Sequence, residues 1–206
     1  KSENKDFKDE NTLDRNDNEE VLPVFPLPNF VMFPKVITSL YIFEPQYIAL
    51  VNKVLDTYGL FCCATLKENN AEKPDGKGEV YKVGCVSKIL DYETLENGKY
   101  HIHIQGVKRV EILETSDFES YNIAKLRHIP LKNRTMSNGD VLWIEKIFHE
   151  NFSDVEKIQI AQNNRVIESF LYTMAFYSNA DIKHKLSILS SENISDIAQQ
   201  IRKKLI

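Results

Sequence analysis

Thirteen residues near the N-terminal end decide the fold: LPVFPLPNFVMFP, residues 22–34. This stretch is dense in apolar side chains and contains four prolines, Pro23, Pro26, Pro28 and Pro34. Proline lacks a backbone N–H and clashes with the preceding helical turn, so this density excludes a helix. It favours extended segments at sheet edges and turns. We therefore expect strands over residues 22–43.

A short helix is predicted immediately afterwards. Glu44 and Pro45 form its start, because proline suits the first helical position and a carboxylate suits the positive end of the helix dipole. Apolar residues then recur at three- and four-residue spacing, which gives one apolar face: Tyr47, Ile48, Leu50, Val51, Val54 and Leu55. Tyr58 and Gly59 are expected to end the helix.

Five further segments are predicted to be strands: 60–66, 79–90, 100–105, 107–113 and 121–127. Asn97-Gly98 and Gly106 are the turn signals between them, and an acidic Ser116-Asp117 stretch precedes the last strand. Short strands at this spacing with one inserted helix favour a small β-barrel or a sandwich.

The apolar period changes from two to about 3.6 residues after Pro130. Helices are predicted over 140–152, 181–189 and 192–205, and a long helix opens at the capping box Ser153-Asp154-Val155-Glu156 and continues to Met174. These helices have the spacing of an antiparallel bundle. The predicted organisation is a disordered acidic tail (1–20), a β subdomain (21–130) and a helical subdomain (131–206).

Charge is distributed unevenly along the 206 residues, which contain 26 Lys and Arg against 30 Asp and Glu. The first 20 residues hold four basic and eight acidic residues, so the remainder is neutral with 22 of each. A neutral body argues against a dedicated nucleic-acid-binding protein. No apolar run is long enough to span a membrane. Three cysteines make no disulfide framework, which favours the cytoplasm, or an organellar matrix if an upstream targeting segment was removed.

Common catalytic patterns are absent from the sequence. It contains no phosphate-binding GxxxxGK[ST] loop, no GxSxG elbow and no HExxH pair. His101 and His103 alternate on one strand face and could join the three cysteines (Cys62, Cys63, Cys85) around zinc, or one cysteine could act as a hydrolase nucleophile. Adjacent cysteines face opposite sides of a strand, so core packing is favoured. We expect no enzyme activity, no metal and no cofactor.

Five motifs in order resemble one protein family. They are residues 22–34, YIFEPQY (41–47), VGC (83–85), NGKY (97–100) and QGVKRV (105–110). Together they resemble the N-terminal, substrate-binding domain of the Lon proteases. The resemblance implies an α+β fold: a PUA-like, mostly antiparallel β-barrel with one inserted helix, then a C-terminal α-helical bundle. Lys35 stands where this family commonly has glycine, Tyr41 where it often has histidine, and Gln46 where it has arginine.

This resemblance implies a non-catalytic protein- or peptide-binding module. Its expected partners are unfolded or tagged protein substrates and a separate ATPase and protease, because 206 residues leave no room for those modules. The candidate peptide contacts are Phe30, Met32, Phe33, Tyr41, Phe43 and Tyr47, for which core packing is the competing interpretation. The alternative function is RNA binding, by analogy with other PUA-like barrels.

Overall fold

The computed structural model describes residues 19–68, 78–151 and 164–205. Residues 1–18 of the predicted tail lie outside this part, as does the capping box at Ser153 with the first half of the helix that it was expected to open. Within the described residues, no helix is both long enough and apolar enough to cross a membrane.

The described residues form an α+β fold. Its strands are β1 (Glu19–Leu27), β2 (Ile37–Ile42), β3 (Leu60–Leu66), β4 (Val80–Thr94), β5 (Tyr100–Phe118) and β6 (Tyr121–His128). Its helices are α1 (Pro45–Leu55), α2 (Asn138–Asn151), α3 (Asn164–Tyr177), α4 (Ile182–Ser190) and α5 (Ile194–Leu205). The prolines of β1 do not prevent pairing, and Pro45 begins α1 as predicted.

One mixed sheet contains all six strands in the order β2-β5-β4-β3-β1-β6. Only the β1–β3 pair is parallel. The long strand β5 has three partners, because residues 100–105 pair with β2, residues 110–118 pair with β6, and residues 100–111 pair with β4. The pairings therefore form a closed circuit of five strands, which leads from β5 through β4, β3, β1 and β6 back to β5.

Two clusters of buried side chains form on opposite faces of this sheet. The smaller one takes residues from each of the five strands in the circuit: Val24, Cys62, Ala64, Val86, Val110, Ile112, Ala124 and Leu126. The larger one joins the other face to β2, α1 and the four C-terminal helices. Cys62 belongs to the smaller cluster and Cys63 to the larger, which confirms that the adjacent cysteines face opposite ways.

The predicted boundary of the tail is wrong by two residues. Glu19 and Glu20 begin β1 and pair in register with Arg127 and Leu126 of β6. Glu19 also forms an ion pair with Lys125 at 2.6 Å, and Glu20 forms one with Lys108 at 2.8 Å. These two acidic residues can be part of the sheet because Lys125 of β6 and Lys108 of β5 form ion pairs with them.

The expected turn at Gly106 is also wrong, because β5 continues through it. A Cβ atom at this position would lie 2.0 Å from the carbonyl oxygen of Phe33, so glycine is needed where another segment crosses the strand. Backbone hydrogen bonds hold that crossing, from Lys35 N–H to the Gly106 carbonyl (2.8 Å) and from Gly106 N–H to the Val36 carbonyl (3.0 Å). The strand likewise continues through Ser116-Asp117.

The Asn97-Gly98 turn is confirmed. Asn97 (φ 64°) and Gly98 (φ 72°) both adopt the left-handed conformation that a tight hairpin between β4 and β5 requires. The C-terminal helices also lie close to their predicted positions, and Asp181 caps α4 by accepting a hydrogen bond from the His184 N–H at 2.8 Å.

Candidate functional site

Among the described residues, the edge of the sheet at β2 is unpaired and presents apolar side chains to solvent. Strand β2 is the first strand in the sheet order and pairs with β5 on one side. Alternate residues of a strand share a face, and Ile37 and Tyr41 on the outer face of β2 are both 52% exposed. An unpaired edge with exposed apolar residues can accept another extended chain.

Two aromatic rings form a platform at the end of this edge. The rings of Tyr41 and Phe43 stack with centroids 5.7 Å apart and an angle of 27° between their planes. Each remains about half exposed, and the ammonium group of Lys99 lies 5.9 Å from the Tyr41 ring centre. A stacked, solvent-facing pair of this kind offers apolar area to a ligand without first opening the core.

The other four predicted contact residues lie elsewhere. Met32, Phe33 and Tyr47 are buried, and the Phe33 ring stacks on Tyr172 with centroids 5.9 Å apart. Phe30 is partly buried and meets the Phe176 ring of α3 edge-on at 5.8 Å. Core packing thus describes Met32, Phe33 and Tyr47, and the surface part of the predicted set is the Tyr41–Phe43 pair.

The residues considered for metal or nucleophilic chemistry do not converge. The His101 and His103 rings lie 5.1 Å apart on β5, and His103 Nδ1 lies 2.9 Å from the Ser39 hydroxyl. All three cysteines are buried, and burial raises the pKa of the Cys63 thiol to about 12, so this thiol is protonated at neutral pH. In the part of the chain that the structure covers, no three His, Cys, Asp or Glu residues are grouped to hold a metal ion.

A second apolar surface was missed by the sequence reasoning. A groove of about 470 Å³ lies between β4, the segment after β6 and α4, and its apolar walls are Tyr81, Val83, Ile129 and Leu186. These residues are far apart in sequence, and each fits an ordinary core position. Only the packing of α4 beside β4 brings them together, so no local pattern could have identified the groove.

Solved structures of Lon N-terminal domains share this fold. The chain is similar to the Lon N-terminal domain protein from Xanthomonas campestris, with a TM-score of 0.68 and 16% identity over 89% of this chain and 98% of that one. It is also similar to the N-terminal domain of the Lon protease of the Mycobacterium avium complex, with a TM-score of 0.64 and 12% identity over 89% and 97%.

Sequence comparison gives the family. The family model described as the ATP-dependent protease La (LON) substrate-binding domain matches residues 21–203. The Lon proteases of Cytophaga hutchinsonii and Flavobacterium johnsoniae are 28% and 25% identical to the chain over 194 and 193 residues, which cover 90% and 88% of it. The chain therefore belongs to the family of Lon substrate-binding domains. It spans about a quarter (24%) of the length of these two curated relatives.

Proposed function

We propose that this chain is a non-catalytic recognition module that binds unfolded or tagged polypeptide segments for a separate ATPase and protease. Its membership of a substrate-binding family is the observation that supports the proposal most strongly. The relatives named above are proteases, but the chain matches about a quarter of their length, within the domain described as substrate-binding.

We infer that the polypeptide binds along β2 and over the Tyr41–Phe43 platform. An extended segment can pair with the free backbone groups of an edge strand, and its alternate side chains then lie on one face. Tyr41 and Phe43 are two residues apart, so their stacked rings match that spacing. Backbone pairing suits a module with many clients, because it reads no particular sequence.

The architecture that we propose for this module is the PUA-like barrel with a C-terminal helical bundle. The closed circuit of strand pairings supports the barrel, as does the small cluster of buried residues drawn from all five of its strands. The bundle is supported by α2 to α5, whose buried residues share one cluster. The RNA-binding alternative receives no support, because the relatives named here are proteases and their substrate-binding domains. A cytoplasmic location fits these bacterial relatives.

The test compares an unfolded, labelled model protein bound to the wild type and to a Tyr41→Ser/Phe43→Ser variant by fluorescence anisotropy. Two exposed aromatic side chains at the centre of an interface make the expected loss of affinity about tenfold or more. Tyr177→Ser is the control, because Tyr177 is an aromatic residue that is 69% exposed at the end of α3 and is not part of β2 or of the platform. Equal affinities for the double variant and the control would exclude the β2 site, and an absence of binding by the wild type would exclude the function.

A further inference from the structure

A cationic pocket lies at the junction of the sheet and the helices. It has a volume of about 260 Å³ and lies between the Pro34–Lys35 crossing segment, β5, the end of β6 and α3. Its walls include four cationic side chains that are separate in sequence: Lys35, Lys108, Arg109 and Arg134. Four positive charges around one cavity repel one another, so neighbouring anions are needed to compensate for them.

The carboxylates near the pocket compensate for part of this charge. Glu168 on the pocket wall forms an ion pair with Arg134, and Glu20 forms one with Lys108 at 2.8 Å. Arg109 donates its hydrogen bonds to uncharged backbone carbonyls, and in the described part of the chain the Lys35 side chain has no hydrogen bond or ion pair. The pocket therefore has an excess of two positive charges.

The conformation of Lys35 makes its position unusual. Its φ of 67° lies in the left-handed region, where a residue with a side chain is strained because its Cβ atom crowds the following carbonyl oxygen. Glycine adopts this conformation without strain. Lys35 lines the cationic pocket in this strained conformation, which favours a role for its side chain in binding.

We propose that this pocket binds the phosphate group of a small phosphorylated molecule. A phosphate dianion matches the excess of two charges. Lys35 and Lys108 offer it charge-assisted hydrogen bonds, and the buried Arg109 adds positive charge behind them. The volume of about 260 Å³ corresponds to roughly nine water molecules at about 30 Å³ each, so a phosphate fits with room for a small organic group. The cations converge on one cavity and do not follow a groove, which favours a small ligand over a nucleic-acid backbone.

His128 provides a local reporter of occupancy. Burial lowers its pKa, the positive charges of Lys108 and Arg109 lower it further, and Glu20 has a smaller opposing effect. The imidazole is therefore neutral at pH 7. A bound phosphate would add negative charge beside it, so we expect the pKa of His128 to rise when the pocket is filled.

The test titrates the full chain, at constant ionic strength, with inorganic phosphate, glycerol phosphate, a nucleoside monophosphate and a single-stranded RNA oligonucleotide. Calorimetry gives each affinity, and NMR gives the pKa of His128. Saturable binding of inorganic phosphate or of either monoester is expected, with an increase in the pKa of His128. The comparison of phosphate with the two monoesters shows whether the organic group contributes.

Lys35→Gln is the variant for this test, and Lys53→Gln, an exposed lysine near the end of α1, is its control. Loss of one charge-assisted hydrogen bond should weaken phosphate binding about tenfold in Lys35→Gln. Lys53→Gln should bind as the wild type does. The proposal would be overturned if no phosphate compound binds, if both variants bind equally, or if only RNA binds.

Discussion

At the scale of single residues, Arg109 is a buried cation with several backbone partners. Only 3% of it is exposed, and its guanidinium group donates hydrogen bonds to the carbonyls of Leu189 (3.2 Å), Ser191 and Ile129 (3.1 Å). Two of these carbonyls belong to the end of α4 and its cap, where the helix itself supplies no donors. Arg109 thus connects β5 to the helices and satisfies backbone groups that packing has removed from water.

Replacing Arg109 by methionine should lower the free energy of unfolding by about 3 kcal/mol, because buried carbonyls lose charged donors and remain unsatisfied. Arg109→Lys should also destabilise the protein, since one ammonium group cannot donate to all three carbonyls in the geometry of the planar guanidinium group. Urea unfolding measures both. Arg127→Met is the control, because this exposed arginine on β6 forms only a surface ion pair with Glu111. A loss in Arg109→Met no larger than that in the control would contradict the role of Arg109.

At the scale of secondary-structure elements, one buried carboxylate connects α2 to α5. Asp140 is 3% exposed, and its Oδ2 atom accepts hydrogen bonds from the hydroxyl groups of Ser137 (2.6 Å) and Ser195 (2.7 Å). Burial alone would raise the pKa of Asp140. The hydrogen bonds from Ser137, Ser195 and Gln199, together with the charge of Arg202, outweigh burial and hold the pKa below its usual value.

The lowered pKa predicts a dependence of stability on pH. The folded state favours the ionised carboxylate, so its contribution is complete above the unfolded pKa of about 3.9 and disappears as the pH falls through the lower folded value. Asp140→Asn should therefore cost about 1–2 kcal/mol at pH 7 and less at pH 3. Urea unfolding at both pH values checks this, with Glu145→Gln on the exposed side of α2 as the control. A cost that is the same at both pH values would refute the prediction.

Local sequence signals predicted most of the elements but not the contacts between them. Pro45, the Asn97-Gly98 turn and the apolar periods locate helices and hairpins because each acts within a few residues. Gly106 resembles a turn glycine in the sequence. The need for glycine at this position becomes clear only in the structure, where the Phe33–Val36 segment crosses the strand. For the same reason the sequence could not separate the exposed Tyr41 from the buried Phe33, since both are aromatic residues in one apolar stretch.

At the scale of the whole molecule, the predicted division at residue 130 remains a proposal, and the packing suggests that its two parts are interdependent. The larger buried cluster is continuous from the sheet to the helices and includes Phe33 and Ile104 on one side and Leu189 and Ala198 on the other. Loss of the helices would expose to water the sheet face that belongs to the larger buried cluster. Burial of apolar surface is the main favourable term in folding, so the two parts should stabilise each other.

We therefore expect a single cooperative unfolding transition. Trp143, the only tryptophan, reports on α2, and the methyl groups of Val86 report on the interior of the strand circuit. In a urea titration followed by NMR, the signals of the Trp143 indole and of Val86 should have the same midpoint.

Leu189→Ala in α4 removes a buried side chain from the shared cluster and should cost about 2–5 kcal/mol by both probes. Leu142→Ala on the exposed side of α2 should shift neither midpoint appreciably, because Leu142 is 65% exposed. A Leu189→Ala variant that moves only the Trp143 midpoint would instead show that the helices unfold as a unit separate from the sheet.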